Sequence, residues 1–436
     1  MWTMIFASLR KWEENSMIRH LIKFWFSSTD ELYSKLKRPF NGTWDSVESD
    51  VGAFENILIR LPVKNILIFK SISKLWYDVM STKYFIILHR LLSKDNTKFL
   101  AFYDPGLLED GIVRGIHLME SNGTYTESYT IPGFENIHHP LLISSFNGLI
   151  CCINDVSKYR MLYDIELRIC NPATREVVLL PNSYMSVYMP VFGVLYSNKF
   201  HIYKIFKFFS DPIHFGMGFS QCEVYSSETG EWELLGSVPS HPLMNLRRTL
   251  ASNHVCINEK LYWFLSDEHE FDIPSSILMV DMDCNVKEIP LPTEAEISFL
   301  IDFHDRLCLV DWTCGTIILW LYDEARGSWY SKKVPPFPGN WLEVAQFDSV
   351  VAHKHKILFV YRDVAGLRHE ILYNLVCATW EEFRITEDDK KTPIVVFPFF
   401  ETLVPCNPAG RKVTGGSGGG FLKKLCVNSV SVVWFV

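Results

Sequence analysis

Six times between Ser121 and Ile385 the chain repeats one short unit: a strand-like run, a polar turn, and a second run that often carries Trp and usually ends in Pro. The copies are SNGTYTESYTIP, NPATREVVLLP, SSETGEWELLGSVP, MDCNVKEIPLP, DEARGSWYSKKVP and NLVCATWEEFRI. Landmarks at or near their ends, Pro132, Pro181, Pro239, Pro290, Pro335 and Ile385, are separated by 49, 58, 51, 45 and 50 residues. A unit of this length holds several strands and buries its faces only against its neighbours, which is the arithmetic of propeller blades of the kelch type. Between the copies the apolar period is two: FLAFYD, LRICNP, EVVLLP, KIFKFF, CEVYSS, LYWFL, ILMVDM, LCLVDW, IILWLYD and ILFVYRD all read as strands, with turn residues between them and no long helical pattern. The body from Lys98 to about Phe400 is therefore expected to be mostly antiparallel β and propeller-like. Trp232, Trp329 and Trp380 read as core and not as ligand platforms.

Ahead of this body the period changes. From Val51 to about residue 92 the pattern is helical, with Phe69, Ile72, Trp76 and Val79 stepping by three, four and three along one face. Pro62 fits a first helical turn, and Ser71 and Ser73 are candidate caps that split the run into short helices. The expected class is thus α+β overall, a small all-α module followed by the β body. Residues 1–50 read as an irregular extension, within which MIRHLIKFWF has amphipathic spacing. Residues 401–436 read as a Gly-rich linker (GGSGGG) and tail. A small apolar helical module in front of a β body calls for a partner that covers it.

Composition narrows the function classes. The 436 residues carry a net charge of −8, which leaves no basic footprint for nucleic acid. No apolar run reaches the length of a membrane span, and MWTMIFASLRKW makes a poor signal peptide, so cytoplasm and/or nucleus is the expected location. The 11 cysteines form no C-x-x-C and read as reduced, mostly buried thiols. Of the two Asn-Gly-Thr sequons, the one at Asn122 reads better as a turn. No cofactor is expected: outside the Gly-rich linker there is no G-x-S-x-G, and H-E-x-x-H and the phosphate loop are absent. His353-Lys354-His355 and Asp267–Glu270 are the nearest metal-like clusters, and both read as polar hairpin loops.

The helical stretch, Glu55 to His89, resembles the F-box of plant F-box proteins. The matching residues are Ile57-Leu58, Arg60-Leu61-Pro62-Val63-Lys64, Phe69-Lys70, Ser73-Lys74 and Trp76. The β body resembles the F-box-associated domain through SSFNGLICC, ICNPATREVVLLP, CEVYSSETGEW, NEKLYWF and LCLVDW followed by ILWLYDEARGSW. The resemblance divides the chain into an F-box at 51–92 and an F-box-associated domain at 98–400. It implies a non-catalytic substrate receptor of an SCF-type ubiquitin ligase. A Skp-type adaptor, and through it a cullin, would bind the helices, and an unknown protein substrate would bind the β body. Ile57, Leu58, Leu61, Pro62, Val63, Ile66, Leu67, Phe69 and Trp76 are then the residues expected to contact the adaptor or shape its interface. Lys64, Lys70 and Lys74 would form a solvated face. SDVGAF (Ser49–Phe54) departs from the family's usual Leu-Pro and acidic opening, so a propeller scaffold that no longer binds the adaptor is the rival reading. Substrate loops are expected among YSNKFH, SDPIHFGMGFSQ and SDEHEFDIPSS.

Overall fold

The computed structural model describes residues 58–407 apart from Ser73 and the segments 104–115, 120–124, 130–140, 157–161, 198–201, 211–219, 239–240, 243–253, 268–269, 293–297, 314–315, 338–343 and 384–393. The expectations for residues 1–50, the Asn122-Gly123 turn and the GGSGGG tail lie outside the described residues. The chain divides into two compact units, one built on the residues up to Ser93 and one beginning at Lys94.

Three helices form the first unit: α1 (Val63–Ile72), α2 (Lys74–Met80) and α3 (Lys83–Ser93). Pro62 stands just before α1, and its carbonyl accepts from the amides of Asn65 and Ile66 at 2.9 and 3.2 Å. Its missing N–H costs nothing there. The apolar run divides between Ile72 and Lys74, where the serines were expected to break it. Ser71 does not cap, however, and its hydroxyl donates back to the carbonyl of Ile68 at 2.7 Å. Thr82 is the cap of α3, with Oγ1 accepting from the amide of Phe85 at 3.2 Å.

In the second unit the described strands form six antiparallel sheets. Blade 1 joins the late strand Ile394–Phe399 to Lys98–Tyr103, Ile116–Met119 and Tyr125–Tyr129. Blade 2 holds Leu141–Phe146, Leu149–Asp155, Ile165–Asn171 and Glu176–Leu179. Blade 3 holds Val191–Tyr196, Tyr203–Phe209, Ser220–Ser226 and Glu231–Val238. Blade 4 holds His254–Ile257, Lys260–Asp267, Glu270–Asp281 and Val286–Pro290, with the short strand His241–Pro242 added beside the second. Blade 5 holds Ser298–Asp302, Leu307–Thr313, Thr316–Asp323 and Ser328–Lys333. Blade 6 holds Val344–His353, Lys356–Asp363, Arg368–Asn374 and Thr379–Glu382. The first strands of successive blades touch one another, and that of blade 6 meets Ile394–Phe399, which in turn meets that of blade 2. The cycle closes, so this unit is a propeller.

The core lies between blades. One cluster joins Phe206, Phe208 and Val224 of blade 3 to Leu261, Trp263 and Leu278 of blade 4. The next joins blades 4 and 5 through Phe264, Ile277, Leu309 and Tyr322. Two more join blade 5 to blade 6 and blade 6 to blade 1. Blades 4, 5 and 6 each contribute to two clusters and so bury both faces, which explains the apolar runs LYWFL, LCLV and ILFV of their second strands.

The repeated unit of the sequence is the outer hairpin of each blade. Its turn opens on a side chain that accepts from amides two to four residues on: Asn171, Ser226, Asp281, Asp323 and Asn374 in blades 2 to 6. A residue with positive φ closes it: Arg175, Gly230, Cys284, Gly327 and Ala378. In blades 3, 5 and 6 a Trp follows two residues later and sits directly across from a Tyr, with ring centroids 5.5, 5.0 and 4.8 Å apart. Trp232 and Trp329 also donate from Nε1 to the carbonyls of Pro181 and Pro290, at 2.9 and 2.8 Å. The Trp and Pro landmarks of neighbouring units therefore fasten one blade to the next.

The packed body extends beyond Phe400, the expected end of the β domain. Residues 401–407 run on as a strap in which Thr402, Leu403, Val404 and Cys406 are buried. Asn171 Nδ2 donates to the carbonyls of Thr402 and Val404, at 3.1 and 2.8 Å. The Tyr203 hydroxyl donates to that of Cys406 at 2.8 Å.

Candidate functional site

Two surfaces are candidates: the outer face of the helices and the loops at the ends of the ring. In the helical unit α1 carries apolar residues all round, and its two faces have different fates. Leu58, Leu61, Val63, Ile66 and Trp76 are buried inside the unit. Leu67 and Phe69 are half-buried, the latter with its ring tilted against Trp76 at a centroid distance of 5.8 Å, and Pro62 is exposed. Ile57 lies outside the described residues. On the open face Ile68 and Ile72, one turn apart, are 46% and 42% exposed, and Tyr77 of α2 is exposed beside them in chain order. Lys64 and Lys74 are exposed, as a solvated face requires. Lys70 is half-buried with its ammonium 5.8 Å from the Tyr77 ring, and burial pulls its pKa down. Ile68, Ile72 and Tyr77 were not among the residues expected at the site, and Ile72 is exposed although its spacing grouped it with Trp76 and Val79, which are buried. The available signal was a helix apolar on every face, which implies two interfaces and not one.

The buried side of the module is tied by a histidine. His89 Nε2 lies 3.0 Å from the Leu61 carbonyl and Nδ1 lies 3.3 Å from Ser93 Oγ. A carbonyl only accepts, so Nε2 carries the proton and Nδ1 takes the serine's. Burial lowers the His89 pKa, the bond to Leu61 opposes that, and Lys70 adds to it. The neutral ring therefore anchors the Leu61 turn that leads into α1.

In the ring, strands alternate in direction. First-to-second and third-to-fourth turns therefore lie at one end, while second-to-third and blade-to-blade connections lie at the other. Of YSNKFH only Tyr196 and Ser197 are described, and they lie at the first end. Ser266–Ser276 and Ser210–Gln221, both described only in part, belong to the second. At this second end the blade 2 to blade 3 connection exposes Tyr184, Met185 and Tyr188. It is held from beneath by the buried pair Lys207–Glu223 (3.0 Å), whose lysine also donates to Ser183 Oγ at 2.7 Å and to the Tyr184 carbonyl.

Glu268 and His269 lie outside the described residues, and the described members of the two metal-like clusters do not gather as ligands. His353, Lys354 and His355 form the first turn of blade 6, with the His353 ring edge-on to Phe99. Asp267 and Glu270 face each other across a hairpin. Among the described residues no group of three or more His, Cys, Asp or Glu is placed to hold a metal ion. A cleft of about 240 Å³ between blades 4 and 5 is lined by Asn258, Tyr262, Asp305, Arg306 and Glu324. Its charges are already engaged, Glu324 by Lys260 and Arg306 by the Tyr330 hydroxyl at 3.1 Å. Burial raises the thiol pKa of Cys151, Cys152, Cys222 and Cys308, which makes them core residues and not nucleophiles.

Residues 127–406 match the profile of a family described as the F-box associated beta propeller domain. The span runs from the outermost strand of blade 1 to the last buried cysteine of the strap. An Arabidopsis thaliana F-box protein is 24% identical over 387 residues, covering 80% of this chain and 96% of its own. Two further Arabidopsis thaliana relatives carry the names of an F-box only protein and an F-box/kelch-repeat protein. They are 24% and 22% identical over 50% and 59% of this chain, which spans only 53% and 61% of their lengths. Among solved structures, a streptogramin B lyase aligns over 70% of this chain and 96% of its own with a TM-score of 0.39 and 13% identity.

Proposed function

The chain belongs to the F-box associated beta propeller family, and on that premise we propose that it is the substrate-recognition subunit of an SCF-type ubiquitin ligase. The α1–α3 module is the F-box in this reading. It docks on a Skp-type adaptor, which bridges to a cullin, and the propeller holds a target protein. The chain itself catalyses nothing and works in the cytoplasm or nucleus. It raises the local concentration of target lysines near the ubiquitin carrier.

The observation that carries this is the exposed pair Ile68 and Ile72 on a short helix just ahead of a propeller of this family. Exposed aliphatic side chains at i and i+4, flanked by the exposed Lys64, make a helix face suited to an apolar groove with an acidic rim. Pro62, Leu67 and Phe69 border that face. Leu58, Leu61, Val63, Ile66 and Trp76 shape it from inside, and Ile57 extends the segment at its start.

The test is a pull-down of the full chain with a Skp-type adaptor, comparing wild type with Ile68→Asp/Ile72→Asp. Because both positions are exposed, the variant is expected to keep its circular dichroism spectrum and lose adaptor binding. A charge at Leu61 would instead test the fold of the module, since that side chain is buried. Wild-type protein that is folded and ignores the adaptor would leave the scaffold reading in possession.

A further inference from the structure

The outer strand of blade 3 differs from its counterparts. Among the described residues it pairs with one neighbour, and it spans eight residues, Glu231–Val238, where the other outer strands span four to six. A free sheet edge is a template for pairing, and proteins blunt it by shortness, Lys or Pro. Blade 4's outer strand carries Lys287 and ends in Pro290, and that of blade 5 ends in Lys332-Lys333. Blade 3's has neither Lys nor Pro. It turns Trp232 inward and exposes Glu231, Glu233, Leu234 and Leu235, with the two leucines 50% and 45% exposed. A bulge at Leu235 interrupts the ladder between Leu234 and Gly236 (φ 105°), after which pairing resumes to Val238. The bulge leaves Glu231–Leu234 as the flat stretch, with Leu235 projecting beside it.

Glu231, Glu233 and Glu228 in the adjoining turn make no ion pair among the described residues. Two copies of the chain set edge to edge would bring these carboxylates together, which argues against self-pairing. We propose that this edge docks an extended segment of another protein. That segment carries Lys or Arg at alternate positions, meets the glutamates, and lays an aliphatic side chain on Leu234 and Leu235. This rests on the reading of the propeller as the part that holds a target, and names the chemistry of what it holds.

The experiment measures fluorescence anisotropy of the purified full chain with two octapeptide probes, one alternating Lys and Val, the other Glu and Val. The Lys/Val probe should bind, and Glu231→Lys/Glu233→Lys should weaken it about tenfold or more while tightening the Glu/Val probe. N-methylation of the Lys/Val probe along one edge should abolish binding with the protein untouched. Three results overturn the proposal: no saturable binding, binding indifferent to charge reversal or N-methylation, or dimers in sedimentation that the charge reversal dissolves. The adaptor pull-down on the same preparation is unaffected by these variants. Failure here and failure of the ligase reading are thus told apart.

Discussion

Gly193 shows how tightly single atoms are specified where blades meet. A Cβ built on it would lie 2.7 Å from the Trp263 ring and 3.0 Å from Leu261. Both side chains are fully buried in the cluster between blades 3 and 4. Gly193→Ala should therefore cost about 1–3 kcal/mol by overpacking, read as a lower denaturation midpoint at unchanged slope. The sequence displayed this glycine inside a strand but not its neighbour, because the contact spans blades. Protons are equally local. His254 and His353 are buried, and burial pulls both down to about 4, with Lys354 assisting at the second. A folded pKa below the unfolded one means that protons favour the unfolded chain. The stability these neutral rings provide is complete above about 6.5 and drains away as pH falls toward about 4. Unfolding titrations between pH 7.5 and 5 should show this decline, and His254→Leu/His353→Leu should flatten it. An equal slope in the variant would refute the assignment.

At the scale of elements, one repeated position carries very different weights. Asn171 and Asp281 both open an outer turn, and both accept two amide hydrogens. Asn171 is fully buried and also donates twice to the strap, while the bonds of Asp281 are exposed. Asn171→Ala orphans two strap carbonyls and two turn amides, and is expected to cost about 2–4 kcal/mol against less than about 1 for Asp281→Ala. Thermal unfolding of the two variants side by side measures the difference, and equal losses would mean that the strap is not held by Asn171. The turns themselves were legible, because polar turn residues, Trp and Pro recur at a fixed period. The strap was not. Its partners lie some 230 residues back, and Glu401–Asn407 has no period of its own. The helical module was legible in outline and misread in aspect. Apolar spacing identified the residues that build it, and only solvent exposure separated Ile68 and Ile72 from Val63 and Ile66.

On the scale of the whole molecule the decisive fact is how the ring closes. Counting copies along the chain yields units, yet blade 1 is assembled from both ends of the described propeller. Ile394–Phe399 pairs along its full length with Lys98–Tyr103, from Lys98 opposite Phe399 to Tyr103 opposite Ile394. No pattern in either strand announces the other, since each is simply an apolar run and the pairing bridges almost the entire body. Ser145 and Ser349 bind it from both sides, donating to the carbonyls of Pro398 and Val396 at 3.0 and 3.3 Å. Blades 6, 1 and 2 thus share one joint. A strand that completes a ring couples every interface in it, because opening the joint exposes a core face on each side. A chain ending at Asp389 should therefore lose more than blade 1. Hydrogen exchange in it should rise along the middle strands of blades 2 and 6, Leu149–Asp155 and Lys356–Asp363, as well as along Lys98–Tyr103. A separately supplied peptide spanning 390–407 should restore protection to all three together. If exchange rose in Lys98–Tyr103 alone, the blades would be independent and the closing strand a local ornament. If it rises in all three and the peptide reverses it, the ring is one cooperative body whose stability is set at the joint between its first and last strands.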